Sequence, residues 1–440
     1  MVLQTPTPNT NPKTLNPFPV NTLNSNFYPM RILHTADWHL GQKLCDRDRK
    51  EEHDLFLNWL LNTIENQQPD ALVVAGDVFD VGYPAKYAET QYYNFIKDAC
   101  KLCPTIIITG GNHDSPNALN APRQLLKVFN VHVIGGAMPQ PEDEIVPVIN
   151  RKGAVVGYVA AVPYLREGDV RTMQAGENYQ DRVASYKEGI RRRYHQLATA
   201  LEAVKQQGFP LVATAHLYAA GSAISDSEDR EMHIIGNQGQ MEVEIFPPQF
   251  DYVALGHIHK PQLVNGKEHI RYSGSPIPLS FSERNDAKQV LLADFTQHKG
   301  LQHIHSLQVP LYRHLHRFKG SFEAVQKQLE LFTPTALLQP CWAEIHLSLT
   351  NFEFNFEEPI KEAAKAAGVD ILKFPNPKYL SAAAGPDDML TDEPADMELL
   401  QNYLQVFREK CKAAKVADAD MPELEHTFSE LIEMMNLQDN

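Results

Sequence analysis

The sequence has 440 residues, of which 43% are hydrophobic and 22% are charged, proportions that are ordinary for soluble globular proteins of two or three domains. It has no apolar run of membrane-spanning length, and its five scattered cysteines argue against a disulfide framework and fit a reducing compartment such as the cytoplasm. The net charge of −15 at pH 7 disfavours unaided binding to nucleic acid, so an enzyme acting there would need metal ions or a basic partner to offset it.

The N-terminal segment, residues 1–29, is rich in Pro, Asn and Thr, and Lys13 is its only charged side chain. It lacks the continuous hydrophobic core of a signal peptide, so we predict a disordered tail. An ordered pattern begins abruptly at Met30 with MRILHTADWHL, which makes Met30 an alternative candidate for the translation start.

Residues 30–300 repeat one theme, in which a short apolar or β-branched run ends in a cluster of Asp, His, Asn and Gly. RIL leads to HTADWH, ALVVA to GDVFD, TIIIT to GGNHD, PLVAT to AHL, and YVAL to GHIH. Helical patterns lie between these runs, for example at 51–67 and 186–208. The alternation predicts a layered α/β domain with buried strands and a functional site at the strand ends.

The pattern changes after residue 300. Residues 301–383 predict a smaller α+β domain, with helices near SFEAVQKQLELF and EEPIKEAAKAAG and strands at CWAEIHLSLT and DILKF. A Gly-, Pro- and Asp-rich stretch predicts a linker at 384–396, and residues 397–440 predict two amphipathic helices. Their apolar stripes are Leu400, Leu404, Phe407 and Cys411, then Leu424, Phe428, Leu431, Ile432 and Met435. These stripes either dock a partner or pack on this chain's own domains.

The strand-end clusters carry nitrogen and oxygen ligands suited to divalent ions, with no sulfur among them. The candidates are Asp37, His39, Asp77, Asn112, His113, His216, His257 and His259. Three carboxylate or amide oxygens and four imidazoles are enough for two ions, which need a shared ligand to sit about 3.5–4 Å apart.

Asp77 is the candidate for that shared ligand, because a carboxylate can bridge two ions through its two oxygens whereas an imidazole cannot. Gly76 precedes it and clears the backbone beside it. Asp37 and His39 are two residues apart, so in an extended segment they share a face and can bind one ion.

The two histidine motifs suggest different roles. His257 and His259 also share a face of an extended segment, and at a spacing of about 6–7 Å they suit two neighbouring ions better than one. Asn112 and His113 are adjacent and diverge, so they are not expected to bind the same ion. Asn112 offers its carbonyl oxygen to a metal, and His113 then faces the substrate as a general acid for the leaving oxygen.

Nearby polar residues have less specific interpretations. Asp114 either orients His113 or forms a turn, and Asp80 is expected to be structural. Arg123 and the run at 191–193 offer contacts to backbone phosphates, although a solvated helix face explains the run better.

Taken in order, DWH, GDVFD, GNHD, AH and GHIH resemble the motifs of calcineurin-like metallophosphoesterases. MRILHTADWHLGQKL, GNHDSP, AHLYAAGSAISDSEDREMHIIGN and the segment from YVALGHIHKPQ to RYSGSPIPLSFSE are similar to the bacterial, Mre-eleven-type nuclease branch. The resemblance is strong over residues 30–300 and looser over 301–440. It implies a central β-sandwich flanked by helices, a small α+β capping domain and C-terminal helices.

The resemblance also implies a two-manganese phosphodiesterase acting on DNA. It assigns one metal to Asp37, His39, Asp77 and His259, and the other to Asp77, Asn112, His216 and His257. His113 corresponds to the catalytic histidine. The ligands alone do not select manganese, because imidazole-rich sites bind zinc more strongly on the general affinity order.

Activities and partners follow from the same resemblance. It implies an ATP-independent single-strand endonuclease, and an ATP-dependent double-strand 3′–5′ exonuclease and hairpin nuclease, in DNA repair, recombination and replication. The expected partner is a coiled-coil ABC-type ATPase bound by the last helices, in a heterotetramer around a nuclease homodimer in the bacterial cytoplasm. Another phosphatase or cyclic-nucleotide phosphodiesterase would share the site without needing residues 312–440. A non-catalytic scaffold would show degraded ligands, whereas every ligand is present.

Overall fold

The computed structural model describes residues 29–172, 177–223, 240–333, 337–349, 356–375 and 378–379, together with Phe407, Cys411, Met421, Leu424 and Phe428. The predicted N-terminal tail up to residue 28, the predicted linker at 384–396 and most of the predicted C-terminal helices lie outside these residues.

The larger region contains fourteen strands in the described part of the chain, and most are short and apolar. They are Met30–Thr35 (β1), Lys43–Leu44 (β2), Arg47–Asp48 (β3), Ala71–Ala75 (β4), Thr105–Thr109 (β5), Val131–Ile134 (β6), Ile145–Ile149 (β7), Val155–Ala160 (β8), Leu211–His216 (β9), Tyr252–Gly256 (β10), Gln262–Val264 (β11), Lys267–Tyr272 (β12), Gln289–Thr296 (β13) and Gly300–Gln308 (β14). Its helices are Lys50–Gln67 (α1), Lys86–Leu102 (α2), Pro116–Asn120 (α3), Arg123–Lys127 (α4), Glu167–Val170 (α5), Tyr179–Ala200 (α6) and Glu202–Gln206 (α7).

Two six-stranded sheets form the centre of this region. The first has the order β14-β13-β1-β4-β5-β6, with β1, β4, β5 and β6 parallel and β13 and β14 antiparallel at one edge. The second has the order β11-β12-β10-β9-β8-β7, with β8, β9, β10 and β12 parallel. Sheet one ends at Gln308, beyond the predicted domain boundary at residue 300.

The sheets pack face to face through alternate side chains of their strands, as the period-two geometry of a strand requires. Val73 and Ile107 of sheet one meet Val212 and Ala254 of sheet two in a buried cluster. The outer faces are covered by helices: α1 and α2 pack on sheet one, and α6 packs on sheet two. The predicted layered α/β fold with a central β-sandwich flanked by helices is therefore confirmed.

A smaller unit follows, with the strands Leu315–Gly320 (β15), Cys341–Leu349 (β16), Val369–Lys373 (β17) and Lys378–Tyr379 (β18) and the helices Phe322–Leu331 (α8) and Glu357–Ala366 (α9). Its sheet has the order β15-β16-β17, β18 also pairs with β16, and every pair is parallel. Both predicted helices and both predicted strands are present, while β15 and β18 are strands that we did not predict. Val325 and Ile360 of the two helices pack on Ala343 and Ile345 of the sheet.

A buried ion cluster joins the smaller unit to α1. The Nε atom of Arg313 lies 3.0 Å from Oε2 of Glu52, and Arg49 binds both oxygens of the same carboxylate. The guanidinium of Arg313 also lies 3.7 Å from the ring centroid of Trp342, a cation–π distance. The two units therefore share a buried polar contact in which two arginines bind one carboxylate.

In the C-terminal part, Phe407 and Phe428 are helical residues whose rings stack with centroids 4.3 Å apart. The two predicted apolar stripes therefore touch each other at these positions. Among the described helices, none is both long and apolar enough to cross a membrane.

Candidate metal centre

The candidate ligands follow strands whose carboxyl ends meet where the two sheets come together. The Nδ1 atom of His216, the last residue of β9, lies 2.9 Å from the carbonyl oxygen of Ala75, the last residue of β4. Because parallel strands place their carboxyl ends at one edge, the loops after β1, β4, β5 and β10 converge on the same place.

The backbone turns sharply just after these strands. Asp37, His39, Asp77 and His257 all have left-handed φ values, of 53°, 46°, 49° and 100° respectively. Each such conformation costs about 1–3 kcal/mol in a residue with a side chain, and strain of this kind concentrates at functional sites. The turns aim four polar side chains into one buried space.

Two glycines make room for these side chains. Gly76 has φ +90°, and a Cβ atom there would overlap the ring of His216. A Cβ atom at Gly111 would overlap the carboxylate of Asp77. Glycine at both positions therefore leaves the space that the ring of His216 and the carboxylate of Asp77 occupy.

The first cluster consists of Asp37, His39 and His259, whose ligand atoms lie within 4.8 Å of one another. The rings of His39 and His259 are 5.0 Å apart between centroids. The Oδ2 atom of Asp37 and the Nε2 atom of His39 are buried and have no hydrogen-bond partner among the described residues. Such unpaired polar atoms cost about 1–3 kcal/mol each, and a bound cation would satisfy them.

The second cluster consists of Asp77, His216 and His257, again with ligand atoms within 4.8 Å of one another. The Oδ1 atom of Asn112 completes it, at 3.0 Å from Nε2 of His216 and 3.0 Å from Nδ1 of His257. The donor set is therefore one carboxylate, one amide oxygen and two imidazoles, which fits a borderline divalent ion.

Asp77 lies between the two clusters. Its Oδ2 atom is 3.1 Å from Nε2 of His216 and 3.5 Å from Nε2 of His39. One carboxylate therefore reaches an imidazole of each cluster, the geometry that a bridging ligand requires.

His257 and His259 were predicted to share one face of an extended segment, and this prediction was wrong. Strand β10 ends at Gly256, and both histidines lie in the following loop. The left-handed turn at His257 separates the two side chains. The structure nevertheless brings His259 to Asp37 and His39, and it brings His257 to Asp77 and His216, as the resemblance implied.

His113 lies beside both clusters. Its backbone N–H donates to Oδ1 of Asp77 at 3.0 Å, and its ring centroid is 4.8 Å from that of His39. Its Nδ1 atom lies 2.9 Å from the carbonyl oxygen of Asp80. Because a carbonyl only accepts, Nδ1 carries the proton that is donated there, and Nε2 is the nitrogen left for chemistry.

Asp114 holds the loops together and does not orient His113. Its carboxylate accepts hydrogen bonds from the backbone N–H groups of Val78, Phe79 and Gly111, at 3.1, 3.0 and 2.9 Å. Of the two interpretations offered above, the structure therefore supports the loop-forming one.

Two carboxylates contact the histidine ligands and escaped the sequence analysis. Oδ1 of Asp80 lies 3.1 Å from Nδ1 of His39, and Oε1 of Glu283 lies 3.3 Å from Nδ1 of His259. Asp80 was expected to be structural, and Glu283, the last residue of the segment RYSGSPIPLSFSE, was given no role. The second Asp of GDVFD was the only signal in the sequence for the contact between Asp80 and His39. Contacts between residues so far apart in the chain cannot be predicted from their spacing.

The basic run at 191–193 does not form a free anion site. Arg193 pairs with the buried Glu144, Arg192 donates to the carbonyl of Val170 at 2.9 Å, and Arg191 pairs with Glu188. All three guanidinium groups therefore bind carboxylate or carbonyl oxygens of this chain. Arg123 likewise lies against a neighbour, with Nη1 3.2 Å from Sδ of Met138.

The protonation of the buried side chains without a bound ion follows from burial and pairing. Burial raises the pKa of Asp37 to about 6 and lowers the pKa of His257 to about 3. Burial opposes the charged forms of Asp77 and His216 as well, but their mutual attraction outweighs it. This attraction holds the pKa of Asp77 well below its usual range and raises the pKa of His216 to about 9. His257 is therefore ready to bind an ion, whereas His216 must first release a proton.

The comparisons with known proteins identify the family of the chain. A family model described as calcineurin-like phosphoesterase matches residues 30–261. The chain is 36% identical over 354 residues to SbcD, the D component of the nuclease SbcCD, of Escherichia coli (strain K12), covering 78% of this chain and 84% of the relative. The SbcD proteins of Rhodobacter capsulatus and Bacillus subtilis are 36% identical over 284 residues and 34% identical over 273 residues. These matches cover 62% and 60% of this chain and 69% and 66% of the two relatives. The chain therefore belongs to the calcineurin-like phosphoesterase family and, within it, to the family of SbcD nucleases.

Proposed function

We propose that this hydrolytic nuclease cleaves phosphodiester bonds of DNA with two divalent ions bound side by side. The observation that carries the proposal is the pair of neighbouring ligand clusters, linked by the Asp77 carboxylate, which reaches an imidazole of each, with His113 beside them. The fold and the two His/Asp clusters support divalent metal ions as cofactors.

The donor atoms divide into two sets. One ion would be held by Asp37, His39, Asp77 and His259, and the other by Asp77, Asn112, His216 and His257. Bound there, the ions would neutralise phosphate charge and supply a water of lowered pKa as the nucleophile. We propose Mn²⁺ as the ion on the basis of the family resemblance; the many nitrogen donors suit Mg²⁺ poorly, but they do not by themselves select Mn²⁺ over Zn²⁺.

His113 is the proposed general acid. Its Nδ1–H is fixed on the carbonyl of Asp80, so the ring keeps one orientation beside the clusters. In the imidazolium form, Nε2–H donates its proton to the oxygen that leaves as the phosphodiester bond breaks. General acids positioned in this way contribute about 10²–10⁴-fold to rate.

The partner proposal concerns residues 397–440. The relatives are named as one component of the SbcCD nuclease, and we propose that this chain likewise binds an SbcC-type coiled-coil ABC ATPase. The stacked rings of Phe407 and Phe428 support one compact unit in which the two apolar stripes contact each other, and we propose that the partner binds this unit. With that partner and ATP, we propose double-strand exonuclease and hairpin cleavage, and single-strand endonuclease without ATP.

We further propose that two copies of the chain associate around the helix α4. Leu125, Val128 and Phe129 are 66%, 78% and 56% exposed, an apolar surface that association would cover.

The test is cleavage of linear, single-stranded and hairpin DNA by the purified full chain with Mn²⁺, with and without the ATPase and ATP. The proposal predicts Mn²⁺-dependent nicking of single strands by the chain alone, and hairpin cleavage only with partner and ATP. Hydrolysis of phosphomonoesters or cyclic nucleotides without DNA cleavage would instead select the alternative phosphoesterase functions.

A further inference from the structure

His259 is held from outside the clusters by a buried carboxylate. The Nδ1 atom of His259 lies 3.3 Å from Oε1 of Glu283, which is 1% exposed. Glu283 ends a single 3-10 turn, Phe281–Glu283, that follows β12. With Nδ1 engaged there, Nε2 is the ring nitrogen that remains for the cluster of Asp37 and His39.

The other oxygen of Glu283 is fixed by its own partners. Oε2 accepts from Nζ of Lys288 at 2.6 Å, from the backbone N–H of Leu279 at 3.1 Å and from Oγ of Ser275 at 3.2 Å. A buried carboxylate is tolerated only when it is paired and hydrogen-bonded in this way, and such a carboxylate has little freedom to rotate.

The same group also fixes the backbone of His259. Its carbonyl oxygen accepts from the backbone N–H of Ser275 at 3.1 Å and from Nζ of Lys288 at 3.0 Å. Gly274, with φ +76°, permits this approach, since a Cβ atom there would lie 2.6 Å from the same carbonyl oxygen. Ring and main chain of one histidine are therefore held by one buried network.

We propose that Glu283, ion-paired with Lys288, is a positioning residue that accepts the Nδ1–H of His259 and presents its Nε2 to the ion of the Asp37 and His39 cluster. The inference rests on the proposed function. Carboxylates that accept from a metal-bound histidine fix its tautomer and ring orientation and increase its basicity as a ligand.

The effect is specific to one of the two ions. In the other cluster, the Nδ1 atom of His216 faces the carbonyl of Ala75, and His257 faces Asn112. Among the described residues, neither imidazole hydrogen-bonds to a carboxylate from outside the clusters as His259 does. Loss of Glu283 therefore lowers the affinity for the ion bound by Asp37, His39 and His259 and leaves the affinity for the other ion unchanged.

The experiment is a titration of metal-free full-length protein with Mn²⁺, followed by calorimetry and by the EPR signal of free Mn²⁺. Glu283→Gln keeps the side-chain size but removes the charge, and Glu283→Gln with Lys288→Met removes both buried charges together. Both variants are expected to bind one of two ions about 10–100-fold more weakly while the other keeps its affinity. Glu144→Gln, which breaks a buried pair with Arg193 far along the chain, is the matched control and keeps both affinities.

Three results separate the possibilities. Wild-type affinity for both ions in the double variant would overturn the positioning role, as would equal weakening of both ions, which indicates a merely structural role. Wild-type protein that binds fewer than two ions would instead contradict the proposed function itself.

Discussion

The Oδ2 atom of Asp77 lies 3.1 Å from the Nε2 atom of His216, and both side chains are buried where the two sheets meet. The same oxygen lies 3.5 Å from the Nε2 atom of His39. Asp77 is thus the side chain through which the two ligand clusters are coupled.

Asp77→Ala is expected to lose both ions, because each cluster loses its shared carboxylate. The number of Mn²⁺ ions per chain, measured after gel filtration, checks this. Asp98→Ala, at a partly exposed aspartate paired with Lys101, is the control and keeps two ions. Retention of one ion at full occupancy by Asp77→Ala would argue against bridging.

Gly76→Ala is expected to abolish metal binding, because its Cβ atom would displace the ring of His216. Gly153→Ala is a matched control: Gly153 also has a left-handed φ, +78°, but a Cβ atom there meets nothing within 4 Å. The control should keep its ions. Its free energy of unfolding, measured with urea, should fall only by the cost of a left-handed φ in alanine, about 1–2 kcal/mol. Equal metal binding in the two variants would show that His216 can shift without cost.

Metal affinity is expected to rise with pH. The pKa of His216 without an ion is about 9, because attraction to Asp77 outweighs the effect of burial, so an incoming ion must displace a proton at neutral pH. Apparent affinity should then rise about tenfold per pH unit between about pH 6 and 8, with one proton released. Calorimetry in two buffers of different ionisation enthalpy measures that proton. A pH-independent affinity would mean that His216 is already neutral.

The clusters themselves were predictable because each follows a buried strand directly, so spacing along the chain reports position in space. Asp37, Asp77 and His216 were identified in this way. The orienting carboxylates were not, since Asp80 and Glu283 reach their histidines through loops whose paths depend on left-handed turns. The predicted extended geometry of His257 and His259 was wrong for the same reason. The strand ends at Gly256, and both residues lie in a loop.

The contact between the two units could not be predicted from the sequence either. Arg313 and Glu52 are 261 positions apart, and nothing in either segment predicts the pair. Two sheets and their flanking helices follow from alternating patterns, whereas contacts between distant segments depend on how those layers finally pack.

Glu52→Ala is expected to lower the free energy of unfolding by about 3–5 kcal/mol, because it leaves Arg49 and Arg313 buried without their anion. Burial raises the pKa of Glu52, but the two arginines lower it further, so its folded pKa lies below the unfolded value. Its contribution is therefore present above the unfolded pKa of about 4.3 and fades as pH falls below it.

Urea unfolding at neutral and acidic pH measures this contribution. Glu357→Ala, which breaks an exposed pair with Lys361, should change stability by no more than about 1 kcal/mol. A Glu52→Ala variant as stable as the wild type would show that the ion cluster does not hold the units together.

We propose above that this site cleaves DNA with two ions and with His113 as proton donor. The most direct test measures bound Mn²⁺ and the rate of DNA cleavage in the same preparation of His113→Ala, with the exposed His303→Ala as control. His113→Ala should bind about two ions per chain and cleave DNA about 10²–10⁴-fold more slowly, while the control matches the wild type. Wild-type cleavage by His113→Ala, or loss of its ions, would contradict the claim.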